Sequence, residues 1–310
     1  MTKHNRLSRL LAAPLLFLAC PGTALAAAPA AAPTAAPALP DADPALWVVK
    51  DSDTTIYLFG TFHALDGKTD WFNDEVKAAF DRSSELVLEI VQPENPATLQ
   101  PLIMKYALDQ SGTPLSSKLT PAGREKLVKA LAGMGAPPAA FDKMRPFFAA
   151  LTLTVAETQK LGLTSEQGAE ATLTKAAKAG GKSVSSLETP EFQIAMFDAL
   201  PEPVQVRMLE QTLDELGKLP DLFGQMQKSW NAGDADGFAA IMKQMEAQTP
   251  EAYKVVIADR NAAWSQWVGQ RLAKPGIVFL AVGAGHLGGK DSVQSLLAAR
   301  GISAQRVPAI

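Results

Sequence analysis

Histidine is scarce in this 310-residue chain: only His4, His63 and His286 occur. Two of the three close the same pattern, Gly60-Thr61-Phe62-His63 and Gly283-Ala284-Gly285-His286. An imidazole can carry a proton near neutral pH or ligate a metal ion. Each pattern ends an apolar run rich in β-branched and aromatic residues, "TIYLFG" and "GIVFLAVG". Glycine at such a place permits a tight turn, and the crevice beyond the carboxyl ends of strands is where α/β sheets bind ligands. Either histidine alone reads as an ordinary residue bonded to turn backbone; the pair reads as a site.

Glu89 stands alone in Leu86-Val87-Leu88-Glu89-Ile90-Val91. A lone carboxylate there either points to solvent at a strand end or, if buried, needs a cation or a metal. Arg260 shares a helical face with Val256, Ala263, Trp264 and Trp267. Its head either snorkels outward or reaches a carboxylate or a developing oxyanion. Glu170 pairs with Glu166 and Lys178 on what reads as a solvated helix face. Glu188 follows a short strand and precedes a helix, where its charge suits the helix dipole. Two other patterns fail: "GDADG" has Ala232 and Lys243 where a calcium loop needs acids, and "GAGHLGG" lacks the Lys-Ser/Thr of a phosphate loop.

The elements that must position these residues follow from the pattern. "LWVVK" and "TIYLFG", split by the polar "DSDT", predict a hairpin. A helix is expected over 71–83 and a buried strand over 85–91. Thr120-Pro121, Thr189-Pro190 and Thr249-Pro250 each read as a capping Thr with Pro in the first helical position. The longest helix is expected from Pro250 to about Ala273, after a helix near 166–179 and a strand over 181–188. A strand over 276–283, a helix over 289–300 and a strand over 302–308 complete the chain. Strands cluster at both ends and helices fill the middle. The expected fold is α/β: a central mixed sheet built from N- and C-terminal strands, in one domain over 45–310 with a helical middle over 97–273.

Lys3, Arg6 and Arg9, a short apolar run and Ala24-Leu25-Ala26 read as a secretory signal peptide over 1–26, and an Ala/Pro-rich linker over 27–44 follows. The expected location is periplasmic or secreted; a lipoprotein anchored through Cys20 is the lesser alternative. Removing those three cations from 29 Lys+Arg against 32 Asp+Glu leaves a net charge of −6. That balance argues against nucleic acid as a partner. No further stretch is apolar and long enough to cross a bilayer.

The words "LFGTFHAL", "LVLEI", "SLET", "DRNAAW" and "FLAVGAGHLGGKDSV" together resemble the TraB/GumN family, in particular its secreted bacterial GumN branch, over roughly 45–308. That family is related to the TIKI metalloproteases. The resemblance implies a fold shared with erythromycin-esterase-like and ChaN-like proteins. It also implies that His63, Glu89 and His286 are metal-site or catalytic residues. Gly168-Ala169-Glu170 and Arg260-Asn261 match further family elements, which adds Glu170 and Arg260 to the candidates. The expected function is a metal-dependent hydrolase of peptidase type, acting on a peptide or small molecule. His63, Glu89 and His286 would hold a divalent ion, and their mixed N/O set suits Mn, Co or Zn. Glu170 would be a general base or a further ligand, and Arg260 an oxyanion donor. Two alternatives stand beside it. One is a metal-independent, esterase-like hydrolase with His63 as general base oriented by Glu89. The other is a non-catalytic module binding haem or a peptide.

Overall fold

A computed structural model describes residues 38–309. The expected signal peptide, with His4 and Cys20, and residues 27–37 of the expected linker lie outside the described residues.

Six strands form one mixed sheet: β1 (Leu46–Lys50), β2 (Thr54–Thr61), β3 (Glu85–Leu88), β4 (Ser183–Ser186), β5 (Gly276–Gly283) and β6 (Ala304–Arg306). Their order is β4-β3-β5-β2-β1-β6. β4, β3, β5 and β2 run parallel, and β1 pairs antiparallel with both β2 and β6. The C-terminal strand β5 therefore lies between the two N-terminal strands β3 and β2. Its register sets Gly60 against Val282 and Thr61 against Gly283, so both Gly-x-x-His turns leave the sheet at the same end.

The apolar runs of β2 and β5 are buried because the sheet is covered on both faces. On one side Phe59, Phe279, Leu86 and Leu88 pack with Phe80, Leu173 and Trp230. These last three come from the helices Asp74–Arg82, Ala169–Ala179 and Leu219–Asn231. On the other, Ile56, Leu58, Val87, Val278 and Leu280 pack with Trp264 and Val268 of the helix Asp259–Arg271 and with Val293 and Leu297 of the helix Val293–Ala298. The helices of the middle build two further apolar clusters, one around Phe147, Phe197 and Tyr253, the other around Leu127, Leu153 and Leu209.

Two of the three Thr-Pro boundaries cap as expected: Thr120 Oγ1 accepts from the Gly123 amide and Thr189 Oγ1 from the Phe192 amide, each at 3.1 Å. Thr249 differs. It directly follows the helix Ala235–Gln248, and its hydroxyl turns back to donate to the Met245 carbonyl at 3.4 Å. The helix expected from Pro250 to Ala273 is also not uniform. It begins as a short α-turn, Pro250–Tyr253, widens into a π-helical turn, Lys254–Ala258, and resumes as Asp259–Arg271. Among the described residues no helix is long and apolar enough to cross a membrane.

Candidate functional site

Four adjacent parallel strands point their carboxyl ends into one crevice, and each delivers a polar side chain there. Glu188 follows β4, Glu89 follows β3, Gly283 closes β5 ahead of His286, and His63 lies two residues beyond β2. The five residues singled out from sequence, His63, Glu89, Glu170, Arg260 and His286, meet in this crevice.

Arg260 is its centre. The guanidinium is buried, at 4% exposure, and a buried cation must have each N–H matched. Nη2 donates to Glu89 Oε2 at 2.5 Å and to Glu188 Oε2 at 2.9 Å. Nε donates to Glu188 Oε1 at 2.9 Å. Nη1 donates to the Val256 carbonyl at 3.2 Å and to His286 Nε2 at 3.1 Å. The plane of the guanidinium also lies near Trp264, 4.6 Å from the ring centroid, and the Trp264 indole N–H donates to Glu188 Oε1 at 2.9 Å. Arg260 therefore does not snorkel, and no N–H is left over to meet an oxyanion. Its geometry is that of an anchor for two carboxylates.

His286 is held in one tautomer. Its Nδ1 lies 2.6 Å from Asn261 Oδ1, an atom that only accepts, so Nδ1 carries the hydrogen and Nε2 offers its lone pair to Arg260. Asn261 is fixed in turn by donating to the carbonyls of His286 (3.3 Å) and Asp291 (2.8 Å). Burial, with the Arg260 charge adding to it, pushes the His286 pKa down to about 3. His286 is a neutral acceptor at any physiological pH.

His63 is the opposite case. Its side chain is 28% exposed, and Nδ1 lies 2.5 Å from Glu170 Oε1, which also accepts from the Thr61 hydroxyl. Burial pulls its pKa down, but the Glu170 carboxylate and, more weakly, that of Glu89 overcome this and raise it to about 9. The same contact, outweighing burial, holds the Glu170 carboxyl below its ordinary value. With Nδ1 committed to Glu170, Nε2 is the free end. Nε2 and Glu89 Oε1 lie 3.1 and 3.2 Å from the place a Cβ would take on Gly283, whose amide donates to that same Glu89 oxygen at 2.7 Å. Burial works against ionised Glu89, yet Arg260 and the nearby imidazoles hold its carboxyl well below the usual range.

Glycine makes one approach possible. The Ala169 amide donates to the Phe62 carbonyl at 3.1 Å, which brings the start of the helix Ala169–Ala179 onto the His63 turn and carries Glu170 inward in its first turn. A Cβ on Gly168 would stand 2.1 Å from the His63 carbonyl oxygen. Glu166, by contrast, is exposed and lies in the 3-10 turn Ser165–Gln167 ahead of that helix, so the two acids expected on one solvated helix face do not share one.

These donors do not fit a divalent ion as they stand. His286 Nε2 and Glu89 Oε2 both face Arg260 N–H groups, and Glu89 Oε1 faces the Gly283 amide. The single Nε2 lone pair of His286, directed at an N–H, is not available to a metal. Among the described residues no group of three His, Cys, Asp or Glu side chains is arranged to hold one.

Glu188 reads from sequence as an acid whose charge suits the dipole of the following helix and is instead a buried partner of Arg260, with its side chain 7% exposed. Gln193 has no sequence signal of its own, yet its amide donates to Glu188 Oε2 at 3.0 Å and Glu89 Oε2 at 3.3 Å. The signal that would have found Glu188 is the one that marked the histidines, a polar residue just past a strand's carboxyl end.

A four-strand parallel ledge with a histidine–carboxylate pair at its mouth and a neutralised Arg centre beneath defines an α/β protein with a preformed polar site. The model of the TraB/PrgY/gumN family matches residues 45–306, and the chain belongs to that family. It is 32% identical over 164 residues to the uncharacterized protein YbaP of Escherichia coli (strain K12), which covers 53% of this chain and 60% of YbaP. The Shigella flexneri YbaP aligns with the same figures. An uncharacterized protein of Treponema pallidum (strain Nichols) is 23% identical over 270 residues, 82% of this chain and 80% of that protein. No solved structure matches the chain.

Proposed function

We propose that this protein is a hydrolase that works by proton transfer through His63, with Glu170 orienting the imidazole. The observation that carries the reading is the 2.5 Å contact of His63 Nδ1 with Glu170 on the one partly exposed histidine of the site, whose Nε2 lies beside Glu89 Oε1 at Gly283. A carboxylate-oriented imidazole is the arrangement that takes a proton from water and later gives it to a leaving group. The substrate is a peptide or ester. Neutral His63 Nε2 takes a proton from water while the water oxygen bonds to the substrate carbonyl carbon. The carbon–leaving-group bond then breaks, and the His63 proton passes to the leaving atom. Glu89 Oε1, fixed by Gly283, accepts a hydrogen bond from the same water. This is the metal-independent reading of the sequence, with Glu170 in place of Glu89 as the orienting group. Secretion to the periplasm or beyond belongs to the proposal through residues 1–26 alone.

The test is hydrolysis of ester and peptide libraries by exhaustively chelated protein. Only the neutral form of His63 accepts a proton, and with a pKa of about 9 that is about 1% of molecules at pH 7. Turnover is therefore expected to survive chelation and to rise close to tenfold per pH unit from pH 7, levelling near 9. His63→Ala is expected to abolish it. Loss of turnover on chelation with recovery on adding Mn, Co or Zn would overturn this in favour of metal-dependent hydrolysis. No turnover of any library member, together with a Soret shift on haem addition, would support the ligand-binding module instead.

A further inference from the structure

We infer that Arg260, not a divalent ion, is the resident cation of this centre, and that it stands where an ion held by Glu89, Glu188 and His286 would have to sit. The inference concerns the same crevice but does not depend on hydrolysis, because its test reads metal binding and not turnover.

Two carboxylates and one imidazole converge on the guanidinium. Glu89 Oε2, both oxygens of Glu188 and His286 Nε2 all lie 2.5–3.2 Å from its nitrogens. Taken without Arg260, this is a mixed N/O ligand set of the kind that binds borderline divalent ions. It even has the outer partner that metal-ligating histidines use, since Asn261 Oδ1 holds His286 Nδ1–H and turns Nε2 inward. A divalent ion would need these four atoms at about 2.0–2.2 Å, and each of them already accepts from an Arg260 N–H. The two positive occupants exclude one another by position and by charge. Glu188, which the sequence left as a helix-dipole acid, is what completes the set.

Two consequences separate this from a metal centre. The wild-type protein is expected to retain no Co²⁺ at His286: after loading and dialysis, its visible spectrum shows no ligand-field bands that His286→Ala removes. Arg260→Met, of similar length and without charge, is expected to bind one Co²⁺ per chain at least tenfold more tightly than wild type, with new visible bands. Those bands are expected to vanish when Glu188→Gln or His286→Ala is added. Arg260→Gln serves as a second, milder variant, since its amide can still bond one carboxylate, and its fold is checked by circular dichroism. Stoichiometric Co²⁺ binding by wild type that is lost in His286→Ala would overturn the inference. So would a folded Arg260→Met or Arg260→Gln protein that takes up no ion.

Discussion

At the residue scale the site divides into a fixed interior and a titrating mouth. Arg260, Glu89, Glu188 and His286 are buried and mutually satisfied, whereas His63 and Glu170 remain about a quarter exposed. Removing Arg260 leaves two carboxylates in the interior without their cation. Arg260→Ala is therefore expected to cost about 3–5 kcal/mol, read as a lower urea midpoint; a change under 1 kcal/mol would show that water reaches this centre freely. The rare residue types were legible in the sequence. His63 and His286 each follow an apolar strand, and that position carried the inference; Glu89 stood out as a lone acid in an apolar run expected to be strand over 85–91, and the strand in fact ends at Leu88. The direction of the Arg260 head was not legible, because an outward and an inward guanidinium share one helical pattern. What separates them is a glutamate 171 positions away. Glu188 was masked by its own strand, the Ser-rich and mostly exposed "SVSS".

At the scale of elements, the His63–Glu170 contact depends on how closely the helix Ala169–Ala179 meets the turn after β2. Gly168 has an ordinary φ of −61°, so its requirement is space and not backbone conformation. Gly168→Ala would drive a methyl into the His63 carbonyl and is expected to cost about 1–3 kcal/mol. The same change is expected to separate Glu170 from His63 and so reduce turnover by more than the stability loss explains. A variant as stable and active as wild type would mean the contact is not needed. The π-helical turn is a second device of this scale. It runs directly into the helix that bears Arg260, and within it the Val256 carbonyl accepts from Arg260 Nη1; π-turns recur at functional sites. Apolar spacing could reveal the helix from Pro250 but not this widening, since one extra residue per turn barely disturbs a short pattern. Thr249 shows a similar limit: the sequence offers a capping residue, and the preceding helix claims it.

Across the whole molecule, the strands from both chain ends interleave, with β5 between β2 and β3 and β6 beside β1. That clustering was legible, because strand-like runs occur near both ends. The pairing of the middle helices was not, since periodicity names an apolar face without naming its partner. The assembled site also ties stability to pH. His286 is buried neutral with its pKa lowered from 6.5 to about 3, so stability falls as pH drops below 6.5. Glu89 and Glu170, with carboxyls held below their ordinary values, lose their contributions on the same acid side. His63 is raised from 6.5 to about 9, so its contribution is complete below 6.5 and is lost as pH rises through 9. The site's contribution to stability is expected to peak near pH 6.5, seen as a maximum in the urea midpoint. Glu170→Gln is expected to flatten the alkaline limb, and an unchanged limb would show that the His63–Glu170 contact does not contribute to it.

The most direct measurement is an NMR titration of the His63 ring in wild type and in Glu170→Gln, which needs no substrate. The expected result is a midpoint near 9 in wild type that drops towards or below the ordinary 6.5 once the charge of Glu170 is gone. A His63 ring that titrates at its ordinary value in both proteins would contradict the claim that Glu170 prepares this histidine to move protons.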